Sequence, residues 1–158
     1  MMTRSKSNAL FALLILPALS GCNFVASFFE SEFVTACEAS LQERLRSPSE
    51  YKRIKITSYE EKLDRAALTK YLSDERVGDI FLNAELRDFD RGNLNPTLFG
   101  LLISYDAPNV FGTPIRRTAR CEYIDARGDD SAANEHNVKV DGKTYTDWLI
   151  EAVRASSN

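Results

Sequence analysis

Two stretches of alternating side chains flank one turn-rich octapeptide, and this arrangement constrains the fold more than any other feature of the chain. "LFGLLISYD" sets Phe99, Leu101, Ile103 and Tyr105 on one side of an extended backbone and Leu98, Gly100 and Leu102 on the other. "IRRTARCEYI" sets Ile115, Ala119, Cys121 and Tyr123 on one side and Arg116, Thr118, Arg120 and Glu122 on the other. Such period-two patterning marks strands that bury one face. Between them, "APNVFGTP" supplies Asn109 and Gly112, which tolerate positive φ. The two runs are therefore expected to close into an antiparallel hairpin.

The rest of the chain surrounds this hairpin with helices and short strands. Phe29, Phe33, Cys37, Leu41 and Leu45 recur in steps of four with Val34 beside them, which predicts a helix with one apolar stripe. Ser27 and Glu30 have the spacing of a capping box, and Arg44 and Arg46 suit the negative end of the helix dipole. Pro48 forces Ser47 out of helical geometry. "YKRIKITSYE" predicts a strand with Ile54 and Ile56 on one side and Arg53, Lys55 and Thr57 on the other. Leu63, Ala67 and Tyr71 predict a short helix, and Val77, Ile80, Phe81 and Ala84 favour another. "FDRGNLNPT" and "ARGDDSAANEHN" are loops, and Asp141-Gly142 is a tight turn between two short extended pieces. "TDWLIEAVRA" predicts a closing helix with Trp148, Leu149, Ala152 and Val153 as its inward side. The expected class is α+β: an N-terminal helix packed on an antiparallel β-sheet, with small helices and a C-terminal helix, in a single domain over residues 31–156.

The beginning of the chain has its own logic. Arg4 and Lys6 give a positive start, Ala9 to Leu19 is an apolar run of 11 residues, and Ser20-Gly21 is a small-residue exit. That is the layout of a secretory signal, and it falls short of the ~20 residues a membrane-spanning helix needs. A permanent anchor or a buried helix is the alternative. Leu19-Ser20-Gly21-Cys22 resembles the lipobox of bacterial lipoproteins. The resemblance implies that residues 1–21 are removed as a signal peptide and that the Cys22 thiol carries a diacylglycerol. Residues 22–30 are then a lipid-anchored tether. Several acyl chains at about 0.8 kcal/mol per buried CH₂ make such an anchor durable. Asn23, in place of an aspartate, resembles the outer-membrane sorting pattern, with inner-membrane retention as the alternative. The expected location is the bacterial envelope, on the outer membrane facing the periplasm.

Removing the first 21 of the 158 residues leaves 137, with 18 basic residues against 23 acidic ones and a net charge of −5. This balance disfavours a general nucleic-acid binder, which needs a basic surface, and a protein held on anionic lipid by charge. With Cys22 assigned to lipid, Cys37 and Cys121 remain, in a compartment where disulfides persist. Cys37 lies on the apolar stripe of the first helix and Cys121 on the apolar face of a strand, so a bridge is expected; two inert buried thiols are the alternative.

Chemistry-bearing residues are sparse. His136, the single histidine, falls in a polar loop without a cluster of cysteines or carboxylates at ligand spacing, and is read as a solvated surface residue. The glycines are too scattered for a phosphate loop, and Asp129-Asp130 lacks the alternating oxygens of a calcium loop. No catalytic residue, metal site or cofactor is expected. Arg116, Arg117 and Arg120 form the one cluster of interest. Arg117, on the apolar-side register, is expected to pair with a carboxylate such as Asp106. The functional version of the cluster is a site for an anion or a peptide carboxylate at the mouth of the hairpin.

Taken together, "LRSPSEYKRI", "SYDAPNVFGTPIR", "CEY" and Cys37 resemble a small domain that recurs in bacterial exported and lipid-anchored proteins, over roughly residues 33–124. The shared motifs are turn residues and a cysteine pair, so the resemblance implies a fold and assigns no activity. The expected function is a non-enzymatic, lipid-anchored binding or scaffolding module. Its partners would be the membrane, through acyl chains on Cys22, and another envelope protein, and not nucleic acid. The alternative is an inhibitor or immunity-type lipoprotein that inserts the loop 107–114 into a hydrolase or toxin.

Overall fold

The hairpin is present and forms the centre of a sheet. In the computed structural model, which describes residues 30–157, strands β2 (Thr97–Pro108) and β3 (Pro114–Asp125) pair antiparallel without a break. Their register runs from Thr97↔Asp125 to Pro108↔Pro114. Strand β1 (Lys52–Lys62) pairs with the other side of β2, and the two-residue β4 (Lys139–Val140) with β3. The strand order is β1-β2-β3-β4, antiparallel throughout. Helices α1 (Glu32–Glu43), α2 (Arg65–Asp74), α3 (Asp79–Asp90) and α4 (Tyr145–Ser156) complete the expected α+β class. Residues 1–21, Cys22 and the tether up to Phe29 lie outside the described residues.

Helix α1 starts where Ser31 accepts the Val34 N–H at 3.4 Å, so Ser31 is its cap; Ser27 lies outside the described residues. Its stripe of Phe33, Ala36, Cys37 and Leu41 packs on Phe99, Leu101, Ile103, Tyr105 and Ala107 of β2 and on Ala119 and Cys121 of β3. The helix crosses the strands: Glu30, just before it, pairs with Arg53 of β1, and Arg44 at its end donates to the Val140 carbonyl of β4 at 2.8 Å. At its middle the expected Cys37–Cys121 disulfide is formed, with Cα atoms 6.0 Å apart and the two cysteines 84 positions apart in sequence. A loop of this length is worth about 4–5 kcal/mol in the chain-entropy account.

Strand β1 corrects the expected alternation. The register with β2 shifts between Arg53 and Lys55, leaving Ile54 as the extra residue of a bulge. Ile56 still faces the core opposite Ile103, but Ile54 is 40% exposed, and Arg53 falls opposite Tyr105 on the face that α1 covers. One inserted residue reverses the parity of everything before it.

Helices α2 and α3 build a second small core from Leu68, Leu72 and Leu86, with Tyr71, Val77, Leu82 and Phe89 around it. Asp64 caps α2 by accepting the Ala67 N–H at 2.8 Å. The second helix exists as expected, but its inward stripe is Leu82, Leu86 and Phe89; Ile80 and Phe81 are 83% and 71% exposed.

The largest correction concerns α4. Thr144 and Asp147 form a complete capping box, so the helix starts well, yet none of its residues is buried. Leu149 and Val153, placed inward by the sequence pattern, face solvent with Ala152. An amphipathic period encodes a face, not what covers it. The helix is held at its first turn, where the Trp148 ring meets Tyr145 at 5.7 Å and the Arg44 guanidinium at 6.0 Å. The expected tight turn precedes it: Asp141 and Gly142 take φ of +51° and +78°, and Val140 bridges to Lys143. Among the described residues, no helix is long and apolar enough to cross a membrane.

Candidate docking surface at the hairpin tip

The β2–β3 connection is a short loop locked by one side chain. Asn109 Oδ1 accepts the N–H groups of Phe111 and Thr113 at 2.9 and 3.0 Å. Its own N–H donates to the Thr113 carbonyl at 2.9 Å, and the Gly112 N–H returns to the Asn109 carbonyl at 3.0 Å. Gly112 completes the turn at φ +80°, a value that favours glycine. These bonds fix the loop without its two apolar side chains, which project outward: Val110 is 67% exposed and Phe111 88%. Pro108 and Pro114 stand opposite each other at its base. A rigid loop tipped by a valine and a phenylalanine can fill an apolar pocket at low entropic cost.

The three arginines next to the tip are not brought together. The sheet places Arg116 and Arg120 on the face away from α1 and Arg117, opposite Tyr105, on the α1 side. Arg116, rather than Arg117, holds Asp106, through Nε–Oδ1 and Nη2–Oδ2 bonds of 2.9 and 3.1 Å. This two-pronged bond keeps the Asp106 carboxyl below its usual range and raises the Arg116 guanidinium. Arg120 pairs with Glu122 at 2.6 Å and donates to the Tyr59 hydroxyl at 3.0 Å. Arg117 is exposed and forms no ion pair with a described residue.

The strongest polar network was not legible in the sequence. Arg53 donates Nε to Glu38 Oε1 at 2.7 Å and Nη2 to Glu30 Oε2 at 2.9 Å, and the Tyr51 hydroxyl donates to Glu38 Oε1 at 2.5 Å. Burial and the Glu38 carboxylate push the Tyr51 hydroxyl well above its ordinary value, and both carboxylates raise Arg53. The network ties β1 to α1 and exists because the bulge turns Arg53 inward. At the other end of α1, Arg44 is half-buried and donates to the Val140 and Lys143 carbonyls, while burial lowers its pKa. Both are structural staples.

His136 is exposed, 3.5 Å from Glu135 and with its ring 5.6 Å from Tyr145. Among the described residues, no group of three or more His, Cys, Asp or Glu could hold a metal ion. A cleft of about 600 Å³ lies between α2 and the sheet, floored by Leu63, Tyr71, Leu98 and Ile124. Its charged rim is internally paired, Lys70 with Asp74 and Lys139 with Glu75. No protein-family model, curated protein or solved structure matches the chain.

Proposed function

We propose that this chain is a non-enzymatic, lipid-anchored protein of the bacterial envelope that docks another envelope protein through the β2–β3 tip. One observation carries the docking: Val110 and Phe111 stand exposed on a loop that Asn109 already holds in place. Exposed aromatic side chains on a preorganised scaffold act as interface anchors. The anchor rests on Leu19-Ser20-Gly21-Cys22 and on the signal-like run before it, and it places the domain where a Cys37–Cys121 bridge is stable. The same tip favours a second reading, in which it enters the cleft of a hydrolase or toxin as an inhibitor or immunity protein.

A photoreactive amino acid at position 111, in cells expressing the full chain, tests the docking. A single envelope protein should crosslink at 111, and the product should fade when Asn109→Ala loosens the loop. A captured hydrolase that is inhibited by the purified chain selects the second reading. Equal labelling at 111 and at a control site on α2 would overturn both. Mass spectrometry of the N-terminus tests the anchor, which requires acyl chains on Cys22; a free thiol there removes it.

A further inference from the structure

We infer that the outer edge of β3, above the short strand β4, takes an extended peptide segment of the pattern apolar–x–acidic–x–apolar as an added strand. Strand β4 covers β3 only at Cys121 and Glu122. One step higher, Arg120 meets the turn after β4: its N–H donates to Asp141 Oδ1 at 2.9 Å, and its carbonyl accepts the Asp141 N–H at 2.7 Å. Backbone groups in a strand point to the same side at every second residue. Arg116 and Thr118 therefore turn their N–H and C=O outward too, and among the described residues nothing pairs with them. Four hydrogen-bonding groups on a strand already ordered by β2 form a template for strand addition.

Side chains along this edge set the pattern of the guest. Ile115, Arg117 and Ala119 share the α1-side face, half-buried, exposed and buried in turn. Because Arg116 and Thr118 hold the outward backbone groups, Arg117 sits at a non-hydrogen-bonded position, where cross-strand side chains lie closest. Arg117 pairs with no carboxylate among the described residues, whereas Arg116 and Arg120 are each paired. An acidic side chain opposite Arg117 completes the set, and apolar ones opposite Ile115 and Ala119 extend the core face. Two copies joined edge to edge here would place arginine against arginine, which disfavours self-pairing. Strand β1, the other edge, is guarded by its bulge and by Lys52, Lys55, Glu60 and Glu61.

The inference needs neither the anchor nor the tip. Hydrogen exchange of the full chain in detergent, with and without the capped peptide TVTETVT, reads it directly. The Arg116 and Thr118 amides should exchange about tenfold more slowly with the peptide, as strand pairing requires. The lysine peptide TVTKTVT should do much less, and Arg117→Glu should reverse the preference. Thr118→Pro, which removes one outward N–H at an edge that tolerates proline, should abolish protection while the fold persists. Phe111→Ser should leave the effect intact, so that failure of the tip and failure of the edge are read separately. Protection already present without peptide, equal action of the two peptides, or self-association lost in Thr118→Pro would each overturn it.

Discussion

The ring of Tyr59 occupies the space where a side chain at position 100 would stand. A Cβ built on Gly100 would lie 2.1 Å from Tyr59 Cζ, across the β1–β2 pairing that sets the two residues opposite each other. Gly100→Ala should therefore cost about 1–3 kcal/mol, the usual range for forcing atoms into occupied space. Urea denaturation measures the loss. Tyr59→Ala in the same chain should recover part of it, and a double variant no better than Gly100→Ala would rule out the ring as the cause.

Replacing Cys37 and Cys121 by serine should lower stability by about 3–5 kcal/mol, since the bridge closes a long loop through the core. Thermal melts with and without reductant should separate for the native chain and coincide for the double variant. An unchanged melt of the native chain under reductant would show that the bridge contributes nothing.

Arg53 is the hinge of the polar network. Arg53→Met leaves Glu38, which is 8% exposed, without its cation and should cost about 3 kcal/mol, within the range for breaking such a pair. The acid limb of stability follows from Glu30, whose carboxyl the Arg53 hydrogen bond holds below its usual 4.5. A carboxyl depressed in the folded state contributes fully above that value and is lost as the pH falls through the folded one. Glu30→Gln should lower stability near neutrality, where the contribution is complete, and flatten the profile below pH 4.5, so that the variant and the native chain converge in acid. Chemical denaturation across that range is the measurement.

Truncation before Leu149 should cost less than about 1 kcal/mol, because residues 149–157 are all exposed surface. A large loss would mean that α4 packs somewhere in solution.

How far the fold was legible depended on how locally each feature is determined. The β2–β3 hairpin was readable from end to end because burial on one face writes period two into both strands and Asn109 and Gly112 mark the turn. The disulfide followed from two faces that had to share one core. The bulge at Ile54 left no mark, since an extra residue is defined only by the partner strand, and without it Arg53 reads as a solvent-facing side chain. The inward stripes of α3 and α4 failed for a related reason. Ile80 and Phe81 match a helical period as well as Leu82 and Leu86 do, and the choice between them belongs to α2. At the tip, the apolar pair in "APNVFGTP" was visible, but its exposure depended on Asn109 holding the loop from within. The alternation already split the three arginines between two sides, but the partner of Asp106 was not legible, because the register that sets Arg116 opposite it belongs to the hairpin.

The bond between Cys37 and Cys121 also governs how the domain carries a mechanical load. A pull on the leading end can strip Glu30 from Arg53 and unspool the first turn of α1, residues 32–36, but no further. From that point tension passes through sulfur into the middle of β3, and the chain between the two cysteines, with β1 and β2, is bypassed. Tugging from the front thus tightens the sheet's covalent tie before any strand is peeled.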